Sequence, residues 1–281
     1  MNDAVGAGER EFDFRPADFE RIRGLLHQNI GISLSAVKTE LVYSRVSRRL
    51  RVTGHANFAS YLEALAVGSA EWEQFVNALT TNLTSFFREP HHFVRLAQLL
   101  PSLPRPVTIW CTASSTGEEP YSLAITAAEA FDSLSPPVRI LASDVDTNVL
   151  GTARAGVYEL EAAQAMGRQR LERFFLRGKG RQQGRVRVRS ELQRLVEFRQ
   201  INLLDPDWQI KAPLAAIFCR NVMIYFDRDT QHRLLSRFVP LLHPEGRLFL
   251  GHSETIRAGS LPFDNEGQTI FALARAAGRA A

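Results

Sequence analysis

The chain has 281 residues, 45% of them hydrophobic and 23% charged, with 18 glycines and 13 prolines. That make-up buries a sizeable core in one large domain or two, and it excludes disordered, collagenous and coiled-coil classes. The longest apolar runs, such as Ala212 to Cys219, break within about ten residues where a membrane span needs roughly 20, and Met1 to Arg10 carry no apolar leader, so a cytoplasmic protein without membrane insertion is expected.

The net charge of +4 is mild but unevenly spread. Between Arg168 and Arg199 eleven basic residues face three acids, which suits either an acidic partner or a solvated face. Cys111 and Cys219 both lie in strand-like apolar runs. Two cysteines so placed read as buried thiols, not as a disulfide scaffold or zinc site.

In chain order, residues 1–11 read as a flexible N-terminus. From Phe12 to Leu100 the periodicity is helical: Pro16 and Asp18 open one run, Ser35 a second, and Asn57 precedes Phe58, Tyr61, Leu62 and Leu65 at helical spacing. Val42, Val46 and Leu50 form an apolar stripe flanked by Arg45, Arg48, Arg49 and Arg51. Three prolines within Pro101 to Pro106 stop any helix and mark an interdomain linker at 101–106.

After the linker the pattern alternates. Val107–Ala113 and Val138–Ser143 read as strands, Pro120 opens a helix to about Phe131 and Thr147 opens another. Further strands are expected at Leu195–Ile201, Leu214–Cys219, Arg247–Gly251 and Thr269–Leu273, with a helix from Asp227 to Leu242 closed by His243-Pro244-Glu245-Gly246. The prediction is therefore an all-α domain over 12–100, then a doubly wound, Rossmann-like α/β domain over 107–281. Inserted at about 157–194 is a small β-subdomain, where Arg185-Val186-Arg187-Val188-Arg189 alternates strictly in a β-hairpin region with an exposed strand edge.

In such a sheet ligands bind beyond the carboxyl ends of the strands. The first strand runs into Ser114-Ser115-Thr116-Gly117-Glu118-Glu119-Pro120, with one glycine where a dinucleotide fingerprint has three. Two glutamates at a helix start repel phosphate and favour a cationic group. The second strand ends at Asp144-Val145-Asp146; one carboxylate should cap the next helix, and Asp144 is assigned to ribose hydroxyls. Asn202-Leu203 and Arg220-Asn221 fall on the same rim. A nucleoside with a positive charge and no phosphate, S-adenosylmethionine, meets these conditions. His91 and His92, adjacent on a helix, are expected to point apart, and no metal site is predicted.

Asn82-Leu83-Thr84-Ser85-Phe86-Phe87-Arg88, Ser115-Thr116-Gly117-Glu118-Glu119-Pro120-Tyr121-Ser122, Phe218-Cys219-Arg220-Asn221-Val222-Met223-Ile224-Tyr225-Phe226 and Gly251-His252-Ser253-Glu254 together resemble the chemotaxis receptor glutamate O-methyltransferases of the CheR type. The resemblance runs from about Phe14 to Leu273. It implies transfer of the S-adenosylmethionine methyl group to glutamates on the cytoplasmic helices of methyl-accepting chemoreceptors, with S-adenosylhomocysteine as product. Arg88 and Tyr225 match the residues that hold the substrate carboxylate; an Arg88 ion pair with Glu89 or Glu118 is the structural alternative. Asn82, Thr84 and Arg88 would cover the cofactor, Glu118 would face its methionine end, Asp144 its ribose, and Asn202, Leu203, Arg220 and Asn221 its adenosine side.

Arg45, Arg48, Arg49 and Arg51 would dock receptor helices. Arg187 or Arg189 would pair with a receptor C-terminal pentapeptide, which a subset of the family tethers on the inserted subdomain. Two rivals remain. A nucleic-acid methyltransferase lacks its Asn/Asp-Pro-Pro-aromatic motif, because Val222-Met223 follow Asn221, and no nucleic-acid partner is expected. A non-catalytic adaptor that binds S-adenosylmethionine or a second messenger would keep the pocket without the turnover.

Overall fold

A computed structural model describes residues 10–274. The chain divides into two compact units, one ending at Thr81 and the other beginning at Asn82. Most of the expected loose N-terminus, 1–9, lies outside the described residues; of the rest, Glu11 is ion-paired with Arg51.

The first unit holds helices α1 (Pro16–Ile30), α2 (Thr39–Thr53), α3 (Phe58–Ala64) and α4 (Ala70–Leu79). Proline at the first helical position, where its missing N–H costs nothing, starts α1, and Asp18 accepts the Arg15 N–H at 2.9 Å. Asn57 caps α3 and Ser69 caps α4, each accepting a backbone N–H three residues on. The stripe Val42, Val46 and Leu50 is fully buried.

The second unit opens with α5 (His91–Leu99), then β1 (Val107–Cys111), α6 (Glu118–Ala130), β2 (Val138–Asp144) and α7 (Thr147–Ala155). The insertion follows: β3 (Val157–Glu159), α8 (Leu160–Gln164), α9 (Arg168–Phe174), β4 (Phe175–Arg177), β5 (Arg185–Val188) and α10 (Ser190–Gln193). The main sheet resumes with β6 (Val196–Gln200), β7 (Leu214–Cys219), α11 (Arg228–Phe238), β8 (Leu242–Leu250), β9 (Phe263–Gly267) and β10 (Ile270–Leu273). Its order is β6-β2-β1-β7-β8-β10-β9. The first five of these run parallel, and β10 and β9 add an antiparallel edge. Strand order reverses between β1 and β7, the switch point at which such sheets bind ligands. Separate apolar clusters fill the two faces of the sheet, one including α5 and α6, the other including Trp110, Trp208 and α11.

Four expectations are corrected. The 101–106 segment is no boundary: Leu100 and Leu103 are buried in the same core as Phe93 and Leu96 of α5, so the prolines turn the chain inside the second unit. Helix α6 starts at Glu118, two residues before Pro120, because proline is tolerated anywhere in a first turn whose N–H groups have no partners. His243–Gly246 does not close a helix but lies inside β8, at a register shift against β7. The insertion is a three-stranded antiparallel sheet ordered β3-β5-β4, so the alternating strand β5 is its centre, and the open edges belong to β3 and β4. Val186 and Val188 face inward and Arg185 and Arg187 outward, as the alternation requires. Cys111 and Cys219 are free and buried. No helix among the described residues is long and apolar enough to cross a membrane.

Candidate active site

The C-terminal ends of β6, β2, β1 and β7, adjacent in the sheet, release the segments around Asn202, Asp144, Ser115 and Arg220 onto one rim. The loop after β1 is tied down from several sides. Ser115 N–H donates to Asp144 Oδ2 at 2.8 Å, Ser115 Oγ to the Asn82 carbonyl at 3.0 Å, and Tyr158 O–H to the Thr116 carbonyl at 2.8 Å. Gly117 turns this loop into α6 at φ 102°; a Cβ there would meet the Tyr158 hydroxyl at 2.6 Å and Ala153 Cβ at 2.9 Å, so no side chain fits.

The paired glutamates that follow have different environments. Glu119 is buried against the fully buried guanidinium of Arg220, and Cys111 Sγ donates to it at 3.3 Å. Glu118 is equally buried, yet its carboxylate accepts the Thr116 hydroxyl at 2.6 Å, and no ion pair to it occurs among the described residues. Burial pushes both carboxyls up, but only Glu119 has a cation pulling it back. Glu118 is thus a buried carboxylate at the rim without a positive partner among the described residues.

One of the two aspartates caps the next helix, as expected, and it is Asp146. Asp146 caps α7 through the Asn148 and Val149 N–H groups at 2.9 and 3.3 Å, and its other oxygen accepts the Asn82 side-chain amide at 2.8 Å. Asp144 takes one backbone N–H on each oxygen, Asp146 at 3.0 Å and Ser115 at 2.8 Å, and retains acceptor capacity. Burial pushes its carboxyl up to about 6, against the pull of those N–H groups.

The remaining predicted residues fall as follows. Asn82 joins the segment leading to Arg88 onto the rim through Asp146 and Ser115. Thr84 is partly exposed beside it. Arg88 pairs with neither Glu89 nor Glu118: its Nη1 donates to the Leu83 carbonyl at 3.1 Å. Its charge does reach Tyr225, whose hydroxyl is held above its ordinary range first by burial, with Arg88 pulling it down and Glu254 pushing it up. Asn202 Oδ1 accepts the Leu204 N–H at 3.0 Å, and Leu203 is buried with its carbonyl bonded to Trp208 and Arg237. Asn221 sits at φ 56° with its N–H bonded to Glu254.

Arg220 is a correction. Its fully buried guanidinium points inward to Glu119, to Glu89 at 3.3 Å and to the Arg88 carbonyl through its two Nη atoms, so the side chain braces the rim from behind, with Nε buried and without a partner among the described residues. Arg45 and Arg49 are corrections as well. Arg45 donates to the Ala78 and Thr80 carbonyls, closing the end of α4, and Arg49 forms a bidentate pair with Glu71, which also accepts the Tyr61 hydroxyl. Arg51 pairs with Glu11, and Arg48 is exposed. In the insertion Arg187 is exposed and Arg189 partly so.

Sequence reasoning missed Glu89, which meets Arg220, His92 and His252. The imidazoles of His91 and His92 do not point apart: their centroids are 4.2 Å from each other, and with Glu89 they bring ligand atoms within 4.8 Å. The charge balancing Glu89 there is the Arg220 guanidinium. Burial and that same guanidinium lower His92 to about 4, while its Nε2 contacts the Gln268 carbonyl at 2.9 Å.

What the rim offers is a seat for a nucleoside that carries positive charge and no phosphate. In a doubly wound domain that combination defines an S-adenosylmethionine-dependent methyltransferase, in which Glu118 would take the amino acid end of the cofactor and Asp144 its ribose. Residues 82–272 match the family described as CheR methyltransferase, SAM binding domain, and residues 17–80 match the CheR methyltransferase, all-alpha domain. The chain belongs to the CheR methyltransferase family.

Among its relatives, chemotaxis protein methyltransferase 2 of Pseudomonas aeruginosa is 54% identical over 270 residues, covering 95% of this chain and 96% of that one. The chemotaxis protein methyltransferase of Klebsiella aerogenes is 51% identical, covering 92% and 90%. That of Escherichia coli is 47% identical, covering 92% and 91%.

Proposed function

We propose that the chain methylates glutamate side chains on the cytoplasmic helices of chemoreceptors, forming γ-glutamyl methyl esters for sensory adaptation. The observation that supports this reading is that the charge of Arg88 reaches the Tyr225 phenol, a forked cation and a hydroxyl donor suited to one carboxylate, in a chain whose cofactor delivers a methyl group. Near-identical length and close kinship with chemotaxis methyltransferases support it.

The chemistry asks little of the protein beyond positioning. A glutamate of ordinary pKa, near 4.3, is ionised at neutral pH, so the nucleophile needs no general base. Arg88 and Tyr225 would hold one carboxylate oxygen and leave the other free to attack in line. The bound cofactor supplies an electrophilic methyl on sulfur. Glu118 and Asp144 anchor its two ends, and the loop from Asn82 to Arg88 excludes water from between the reactants. Incubation with tritium-labelled S-adenosylmethionine and receptor-containing membranes tests the reading: label should enter the receptor and leave as methanol in alkali. Alkali-stable label would assign the enzyme to nitrogen acceptors instead.

Receptor docking falls to the arginines of α2 that reach solvent. Arg48→Glu should raise the Michaelis constant for receptor about two- to fivefold at low salt, less at high salt, and leave S-adenosylhomocysteine affinity unchanged. Loss of cofactor affinity in the same variant would place Arg48 in folding instead.

For the inserted sheet we propose micromolar binding of a short receptor peptide with a central acid between aromatics. Because β5 is internal, the peptide would add as a strand beside β3 or β4, with Arg187 or Arg189 meeting the acid. Fluorescence anisotropy of a labelled pentapeptide should saturate; a flat signal to millimolar protein would leave these arginines as a solvated face.

A further inference from the structure

The Gly251-His252-Ser253-Glu254 turn after β8 is not accounted for by substrate or cofactor contacts. Glu254 is 5% exposed, and no ion pair to it occurs among the described residues. Its carboxylate is instead filled by backbone donors: the Gly251 N–H at 2.6 Å and the Asn221 N–H at 2.9 Å on one oxygen, and the Ile224 N–H at 3.3 Å on the other. Two of the three belong to the loop that follows β7 and carries Tyr225.

A buried carboxylate without a cation is costly, and a well-packed apolar residue at that place would serve stability better. What the carboxylate does accomplish is conformational. Asn221 is held at φ 56°, a left-handed setting that asparagine adopts more readily than other side chains but that still costs energy unless its surroundings hold it. Met223 and Phe226 anchor the loop in the apolar core, but a cavity of about 150 Å³ beside it is lined by Met223, Ile224, Gln231, Leu235, Leu250 and Glu254 among others, so apolar packing alone does not fix the main chain there. The hydrogen bonds do: Glu254 from one side, and Gln231, which donates to the Met223 and Phe226 carbonyls at 2.8 and 3.0 Å, from the other.

Gly251 completes the arrangement. A Cβ at that position would come within 2.4 Å of the Asn221 side-chain nitrogen and 2.8 Å of its backbone nitrogen. The same turn reaches Arg88 by a second route. His252 contacts Glu89 Oε1 at 3.2 Å, Glu89 Oε2 lies 3.3 Å from Arg220, and Arg220 donates to the Arg88 carbonyl.

We propose that Glu254 is a positioning residue of the methyl-transfer site, setting the Asn221–Tyr225 loop through its backbone amides and so presenting the Tyr225 hydroxyl beside Arg88. The assignment rests on the reading that Tyr225 and Arg88 hold the substrate carboxylate. Glu254→Gln keeps the size of the side chain but turns an NH₂ toward amide donors, so at least one loop hydrogen bond is lost.

In the full-length protein, hydrogen exchange at the Asn221 and Ile224 amides should quicken about tenfold in Glu254→Gln while amides of β7 stay within about twofold. The kcat for receptor methylation should fall about tenfold with the receptor Michaelis constant within about twofold, and in a Tyr225→Phe background the same change should cost less than about twofold. Gly251→Ala, which keeps the carboxylate in the chain but crowds both its Oε2, at 2.9 Å from the new Cβ, and Asn221, should reproduce the pattern should Glu254→Gln fold poorly. Equal acceleration of exchange in β7 would make Glu254 a stability residue and overturn the proposal, as would effects that multiply independently in the double variant. Wild-type turnover in Tyr225→Phe alone would instead overturn the underlying reading of the substrate site.

Discussion

Arg88→Ala should lower methyl transfer to receptor by about 10- to 100-fold, the equivalent of losing one charge-assisted hydrogen bond of about 1.5–3 kcal/mol to the reacting carboxylate. The substitution loses one exposed side-chain hydrogen bond, to the Leu83 carbonyl, and keeps the part-buried main-chain one: Arg220 bonds the Arg88 carbonyl, which alanine retains. Tyr225→Phe removes only a hydroxyl and should cost about tenfold, near the upper range for a single hydrogen bond. Both variants should melt within a few degrees of the parent. Initial rates on receptor membranes with saturating cofactor measure the effect, and parental turnover in both would mean that the substrate carboxylate is held elsewhere.

Asp144→Ala should weaken S-adenosylhomocysteine binding tenfold or more, because two ribose hydroxyls would lose a buried ionised acceptor worth roughly 1.5–3 kcal/mol. Calorimetry on a folded variant decides it. The same carboxylate gives a pH signature. With its pKa at about 6 in the free protein, Asp144 is ionised at pH 7.5 and takes up a proton as pH falls. Hydroxyl donors bind the ionised form, so cofactor affinity should be flat above neutrality and decline as pH drops through 6. Asp144→Asn should bind weakly and without that decline. Unchanged affinity in Asp144→Ala would remove ribose from this position.

The elements legible in the sequence are those whose burial leaves a one-dimensional trace. Strands β1, β2 and β7 lie within two residues of their predicted spans, since central parallel strands are mostly continuous apolar runs, while the edge strand β6, Val-Glu-Phe-Arg-Gln, is found as closely by its alternation. Strand β9, by contrast, reads Phe-Asp-Asn-Glu-Gly and is exposed beyond its first residue; its pairing with β10 is imposed by the sheet edge and not by its composition. The proline segment misled for a related reason. Proline reports where a helix stops, whereas a domain boundary depends on which core Leu100 and Leu103 enter.

The site shows the same division. Glu118 and Asp144 could be singled out because strand ends in an open parallel sheet are ligand positions whatever the partners. That Glu119 is neutralised while its neighbour is not depends on Arg220, 101 residues away. Nothing local to either glutamate distinguishes them. Arg45 and Arg49 read as a surface for partners because they stand in a run of arginines, and Arg220 as a cofactor contact because it stands at a strand end, yet arginine's fork also closes helix ends and pairs with acids, as Arg45 and Arg49 do in the first unit and Arg220 does in the second.

The central claim, methyl esters on receptor glutamates, is tested most directly by tandem mass spectrometry of receptor treated with the enzyme and S-adenosylmethionine. The account predicts a mass increase of one methylene on glutamate residues of the cytoplasmic helices, abolished by mild alkali and formed about 10- to 100-fold more slowly with Arg88→Ala. A methyl group found only on lysine, arginine or a chain terminus, stable to alkali, would contradict it.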